Sequence, residues 1–256
     1  MDWLPARKTM SICLPRANPF AVNAWFDWSC TLTFAVPAAD IAARLPNCLK
    51  PDVFNDHWGF VAVAVVQTRK LRPAGFPAFF GHDFILVGYR YFVRYRSASG
   101  RNLRGLYIVR SETDKPHMAL LGNFFTRYQY VRSAVRIEKQ DACLQITAAD
   151  TGLDIAVDAL ADAELPEGSL FPSWKEARRF SGPMPFTFTC ERKKNRVLIV
   201  EGMRSGWKPR PVQILSHHVA YLEQLGLGHA VLANAFMVEN IPYHWKKGRI
   251  ETWPES

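Results

Sequence analysis

From Trp25 the segment WFDWSCTLTFAV alternates. Phe26, Trp28, Cys30, Leu32, Phe34 and Val36 point one way, with Asp27, Ser29, Thr31 and Thr33 opposite, which predicts a half-buried strand. PAADIAARLP lies between two prolines and reads as a short helix, and WGFVAVAVVQT, apolar on both faces, as an interior strand. FILVGYRYFVRYR and RGLYIVRS form a hairpin about SASGRN. In DKPHMALLGN, Asp114 is the expected cap, Pro116 sits in the first turn and Gly122 near the end of a short helix. Beyond it, GNFFTRYQYVRS resumes an aromatic, strand-like alternation. CLQITAA and LDIAVDAL pair around DTG, and SWKEARRF is a helix with Ser173 and Glu176 at capping-box spacing. MPFTFTCERKKNRVLIVEGM is a hairpin turning at RKKN. VQILSHHVAYLEQLGLG carries Ile214, Val219, Leu222 and Leu225 near helical spacing and is predicted as the longest helix, and AVLANAFMVENIPYHW as the last strand. These elements predict an α+β chain with one mostly antiparallel sheet system curled on itself and three to four packed helices. Residues 1–24 form an N-terminal arm and 25–256 a single domain in this reading.

Composition agrees with a chain that buries a core: 48% of the 256 residues are hydrophobic and 21% charged. The net charge of +9 would attract anionic substrates, membrane surfaces or nucleic acid without choosing among them. Basic residues are spread along the whole chain, and RKKN and WKKGR read as solvated turns, so no nucleic acid partner is expected. Cysteines 13, 30, 48, 143 and 190 are odd in number and lack a CxxC pair, which predicts free buried thiols in a reducing compartment. No apolar run reaches 18 residues and no signal-peptide core is present, so the expectation is a cytoplasmic protein without a membrane partner.

P-loop and dinucleotide glycine patterns are absent, and no Cys or His cluster has zinc spacing, so neither a cofactor nor a metal is expected. His217 and His218, adjacent on the expected helix, would face about a hundred degrees apart and could not chelate together. The arginines are more informative. In GYRYFVRYR, period two puts Tyr89, Tyr91, Val93 and Tyr95 on one face and Arg90, Phe92, Arg94 and Arg96 on the other. If that second face lines a concave site, Arg90 and Arg94 can hold a carboxylate or phosphate through two parallel hydrogen bonds; facing solvent, they are a charged strand exterior.

Several stretches together, FAVPAADIAARLPNCLKPDVFNDHWGFVAVAVVQT, YRYFVRY, LYIVRSETD with GNFFTRYQY, and RRFSGPMPFTF followed by VEGMRSGWKPRPV, resemble the YqjF-like domain of unknown function (DUF2071), grouped with the acetoacetate decarboxylase-like superfamily. The resemblance covers roughly residues 25 to 245 and implies a large antiparallel barrel or cone with outer helices, a central pocket and a tendency to form homo-oligomers. In the decarboxylases one of two adjacent lysines attacks a keto acid as a free amine. Where that pair would fall, this chain has approximately Thr126, Arg127 and Tyr128, and arginine cannot form the imine. The resemblance therefore implies a pocket for a small keto or hydroxy acid without the decarboxylase step. The protein is expected to be either a lyase or hydratase or a non-catalytic binding protein. The expected binding residues are Arg90, Arg94 and Arg127, with Tyr91 and Asn123 beside them; Glu112 and Tyr128 are the expected acid and base. The bland alternative makes Phe124, Phe125, Tyr128 and Tyr130 ordinary core aromatics.

Overall fold

The structure is a computed structural model that describes residues 17–160, 163–182 and 184–253. Residues 1–16 of the expected arm, Cys13 among them, lie outside the described residues. Strand β1 (Val22–Pro37) starts within that arm and leads into α1 (Ala38–Ala42), β2 (Leu49–Pro51), β3 (Trp58–Pro73), β4 (His82–Arg96) and β5 (Asn102–Thr113). Helix α2 (Pro116–Phe125) precedes β6 (Tyr130–Arg132), β7 (Arg136–Gln140), β8 (Cys143–Ala148) and β9 (Leu153–Asp158). The chain ends with α3 (Trp174–Phe180), β10 (Phe186–Glu191), β11 (Arg196–Arg204), β12 (Arg210–Pro211), β13 (Gln213–Val219), α4 (Ala220–Gln224), β14 (Val231–Trp245) and β15 (Arg249–Thr252). Among the described residues no helix is long and apolar enough to cross a membrane.

Eleven strands make one sheet in the order β12-β14-β1-β3-β4-β5-β10-β11-β15, with β2 and β6 attached at β4 and β5. Because β11 also pairs with β14, through Gly202 opposite Trp245, the pairings run β14-β1-β3-β4-β5-β10-β11 and back to β14. Most pairs are antiparallel, as the hairpins require; β10 and β6 run parallel to β5. A second, four-stranded sheet, β13-β9-β8-β7, covers one face of the first. Between the two sheets lies the main core, where Leu32, Val61, Val63, Val65, Val87 and Tyr89 meet Ile146 and Ile155. On the other face β3 presents Ala62 and Ala64, and β4 presents Gly88, opposite larger rings. That alternation of large and small side chains packs one side of the sheet densely and leaves open volume on the other.

Three expectations are corrected. Residues 213–219 are a strand, not the start of the longest helix: they pair with β9, and that pairing overrides the near-helical spacing. Only 220–224 turn helical, and α2 is longer, at ten residues. His217 and His218 thus sit next to each other on a strand, with His217 against the ring of Phe34. Asp114 does not cap α2; its carboxylate accepts from the Ile85 N–H at 2.8 Å, while Ser173 does cap α3. Phe26 does not share a face with Cys30, because register shifts in β1 between Asn23 and Trp25 and between Phe26 and Trp28 turn it to the open side.

Candidate binding site

The open side encloses a cavity of about 210 Å³. Its floor is the small-residue face of β1, β3 and β4; its walls are Phe26, Phe84, Phe92, Phe236 and Trp245, and the 126–130 and 204–207 segments close it. Arg90 on β4 projects into this space. Its guanidinium lies over Gly88, where a Cβ atom would come within 2.5 Å of an Nη, so the glycine makes room for it. Among the described residues Arg90 makes no ion pair, although neighbouring arginines do. Burial pulls its pKa down from the ordinary value, and the nearby oxygens of Tyr243, Tyr130 and Tyr128 push the other way. Arginine nonetheless stays protonated in proteins. The result is a cation in an aromatic-walled cavity without a carboxylate among the described residues to neutralise it.

The segment 122–130 builds one wall by a run of local devices. Gly122 in α2 leaves space for the Tyr130 ring, whose nearest carbon would lie 2.3 Å from an added Cβ. Asn123 donates from its amide to the Tyr130 carbonyl and accepts from the Tyr130 N–H, both at 2.8 Å, so its side chain fixes the backbone of β6. Thr126 ends the helix by donating its hydroxyl to the Gly122 carbonyl at 2.7 Å. Gln129 takes a left-handed conformation, φ 53°, which brings both Tyr128 and Tyr130 to the cavity. The Tyr128 hydroxyl lies 3.3 Å from the Thr187 Oγ1. Burial raises the pKa of both phenols, so at neutral pH they are hydrogen-bond donors rather than anions.

The opposite rim carries Arg204, which donates to the Tyr243 oxygen at 2.7 Å and lies over the Trp207 ring, 4.7 Å from its centroid. Tyr243 in turn sits on Gly202, another position where a Cβ would collide, at 2.5 Å. Arg204 and Tyr243 also line an open outer cleft, so this pair stands between the cavity and the surface. Among the described residues, three buried polar atoms of cavity-lining side chains have no protein partner: Asn18 Oδ1, Thr68 Oγ1 and Trp207 Nε1.

Of the residues expected from the sequence, Arg90 and Tyr128 meet at the cavity; the others do not line it. Arg94 shares the Arg90 face but lies four residues along β4, roughly 13 Å away for an extended chain, where it pairs with the buried Asp52 together with Arg104. Tyr91 is on the opposite face, 2% exposed in the main core. Arg127, just before the two inward tyrosines, turns outward and pairs with Glu191 at 2.9 Å in a separate surface cleft, which Asn123 also lines. Glu112 is fully buried between the sheets, accepting from the Thr151 hydroxyl at 2.9 Å and facing an Arg110 Nη at 3.1 Å. Its register explains this: Glu112 lies across from Val87, which points to the main core. Tyr130, Arg204, Trp207 and Tyr243 were not expected at the site, although RSGWKPR and IPYHW carry the aromatic and basic residues that form its rim. No lysine, aspartate, glutamate or histidine lines the cavity among the described residues, and these contain no cluster that could hold a metal ion.

A family model described as an uncharacterized conserved protein, DUF2071, matches residues 25–235. No functionally curated protein matches the sequence. Among solved structures, an acetoacetate decarboxylase from Legionella pneumophila aligns with a TM-score of 0.57 and 11% identity, over 90% of this chain and 87% of that one. An acetoacetate decarboxylase-like enzyme from Sphingomonas wittichii RW1 aligns with a TM-score of 0.58 and 12% identity, over 93% and 94%. The enduracididine biosynthesis enzyme MppR, in complex with pyruvate, gives 0.55 and 9%, over 95% and 93%. At these identities the likeness is one of fold: mostly antiparallel strands in the acetoacetate decarboxylase-like arrangement.

Proposed function

We infer that this chain, which belongs to the DUF2071 family of uncharacterized conserved proteins, binds a small organic acid in its central cavity, with the carboxylate on Arg90. The observation that carries this reading is Arg90, partly buried in the cavity and without an anionic partner among the described residues. A buried charge is retained at a cost in stability, and a ligand of opposite charge offsets it with two parallel charge-assisted hydrogen bonds. A structural neighbour solved with pyruvate, MppR, adds support from the same fold.

The side chains at the cavity favour binding and proton donation over covalent chemistry. Without a lysine among the described lining residues there is no amine for an imine, and without a carboxylate or imidazole there is no general base in its basic form at neutral pH. A lyase-type turnover would use Arg90 to fix the acid and the Tyr128 phenol to protonate or stabilise an oxygen beside it. A non-catalytic binding protein would use the same contacts without proton transfer.

Thermal melting with keto, hydroxy and dicarboxylic acids, on wild type, Arg90→Met and Arg127→Ala, tests the reading. A ligand at about 100 times its Kd adds roughly 2.7 kcal/mol. The shift is expected in wild type and Arg127→Ala and absent in Arg90→Met; a shift that survives in Arg90→Met refutes the assignment. Exchange of acid protons beside the carboxylate in deuterated buffer, followed by NMR, then separates turnover from binding alone.

A further inference from the structure

Resting on the reading of Arg90 as an anion anchor, we propose that the ligand is an aromatic monocarboxylate, an aryl-substituted acid, rather than a short keto acid or a dicarboxylate. Charge sets the first limit. Arg90 is the one cation at the cavity whose guanidinium has no partner among the described residues, because Arg204 is committed to the Tyr243 oxygen and to the rings of Trp207 and Tyr243. A second carboxylate would meet no cation but Arg204, whose Nη1 already donates to Tyr243 and whose guanidinium lies over two rings, so less of its lost hydration would be replaced than at Arg90.

Volume sets the second. A cavity of about 210 Å³ holds roughly seven waters at liquid density, which is below the range of sites for drug-sized ligands. Acetate or pyruvate on Arg90 would leave much of it unfilled, and the surrounding rings would lose contact atoms. The walls set the third limit. Phe26, Tyr243 and Trp245 form a ring cluster with centroids 4.9 and 4.2 Å apart, joined by Phe84, Phe92 and Trp207 around the same space. Flat apolar walls of this kind gain most from another ring, packed face-to-edge or offset.

Titration calorimetry of the full chain with phenylacetate, phenylpyruvate, acetate, pyruvate, 2-oxoglutarate and phenylacetamide separates these limits. The expected result is that each aryl acid binds at least tenfold tighter than its methyl counterpart, that 2-oxoglutarate binds no tighter than pyruvate, and that phenylacetamide loses at least tenfold against phenylacetate. Aryl and methyl acids within tenfold of each other, or 2-oxoglutarate as the tightest, would overturn the aromatic monocarboxylate while leaving the anion anchor standing. Phenylacetamide binding as tightly as phenylacetate would overturn the anchor itself. Absence of heat and of tryptophan fluorescence change with every compound at millimolar concentration would overturn both.

Discussion

Replacing Arg90 by methionine should make the ligand-free protein more stable, the reverse of what most core substitutions do. Arg90 is partly buried, with its side chain in the cavity; burial pulls its pKa down, and the phenol oxygens of Tyr128, Tyr130 and Tyr243 work in the charge's favour. Leaving a buried charge uncompensated typically costs about 3–5 kcal/mol, and apolar replacement of buried charged groups commonly gains about 1–4 kcal/mol. Methionine keeps a comparable unbranched stem over Gly88 and tolerates an irregular site, so lost packing is expected to return only part of that gain. A net stabilisation of about 2 kcal/mol follows. For a chain of this length each kcal/mol moves Tm by roughly 2–4 °C, giving about 4–8 °C.

The assay is calorimetric melting in a buffer of low chloride and no carboxylate, since any small anion seated on Arg90 stabilises wild type by mass action. Because the chain carries +9, loss of any positive charge relieves some self-repulsion, and Arg101→Met, in the exposed β4–β5 turn, supplies that baseline. Adding an acid that binds should close the gap, by roughly 2.7 kcal/mol at about 100 times its Kd. A ligand-free Arg90→Met that melts below wild type, with Arg101→Met unchanged, would refute the reasoning: it would mean that the phenols and cavity solvent already compensate the charge.

Three further outcomes are expected. Gly88→Ala places a methyl within about 2.6 Å of the Arg90 Cζ, so the flexible guanidinium moves and acid binding, read by titration calorimetry, should weaken at least tenfold, while the fold melts within a few degrees of wild type. Burial raises the Glu112 pKa above its ordinary 4.5, so the native state holds that proton to higher pH than the unfolded chain; its contribution is fully present below 4.5 and is lost as pH rises through the folded value. Glu112→Gln should therefore flatten the fall in Tm over that window, and an unchanged pH profile would show that Glu112 does not titrate there. Cys48 and Cys190, with sulfurs 3.7 Å apart, need only a small side-chain movement to bond, so diamide should convert the pair to a disulfide, seen as the loss of two hydrogens in intact mass that Cys48→Ser abolishes.

What could be read from the chain followed the reliability of period two. β4 is a long strand whose own alternation is unbroken, the register shift at Tyr89/Arg90 adding its extra residue on β5, so the face carrying Arg90 and the face carrying Tyr89 and Tyr91 were legible from alternation, and the same alternation argued against Tyr91 as a binding residue. Alternation gives a face but not a position along it, which is why Arg94, on the correct face, ends beside Asp52. The 126–130 segment is mostly not strand. Its direction depends on the left-handed Gln129 and on Asn123 pairing with Tyr130, contacts that no periodicity encodes, so Arg127 could not be placed outside the cavity in advance. The cavity had a signal of its own. Valine alternates with alanine along Val61–Val66 of β3, and Gly88 lies across from Ala64 on β4, so the sequence distinguishes a filled face from one kept small. Tyr130, Trp207 and Tyr243 come from three distant segments that meet only when β11 pairs with β14, and that closure is a property of the assembled sheet rather than of any local pattern. A site formed in this way has its anchor on a regular strand, where sequence is most informative, and its selectivity on the closing segments, where it is least. Relatives that keep the small face and Arg90 equivalents while varying those segments would therefore be expected to retain an acid and to change which one.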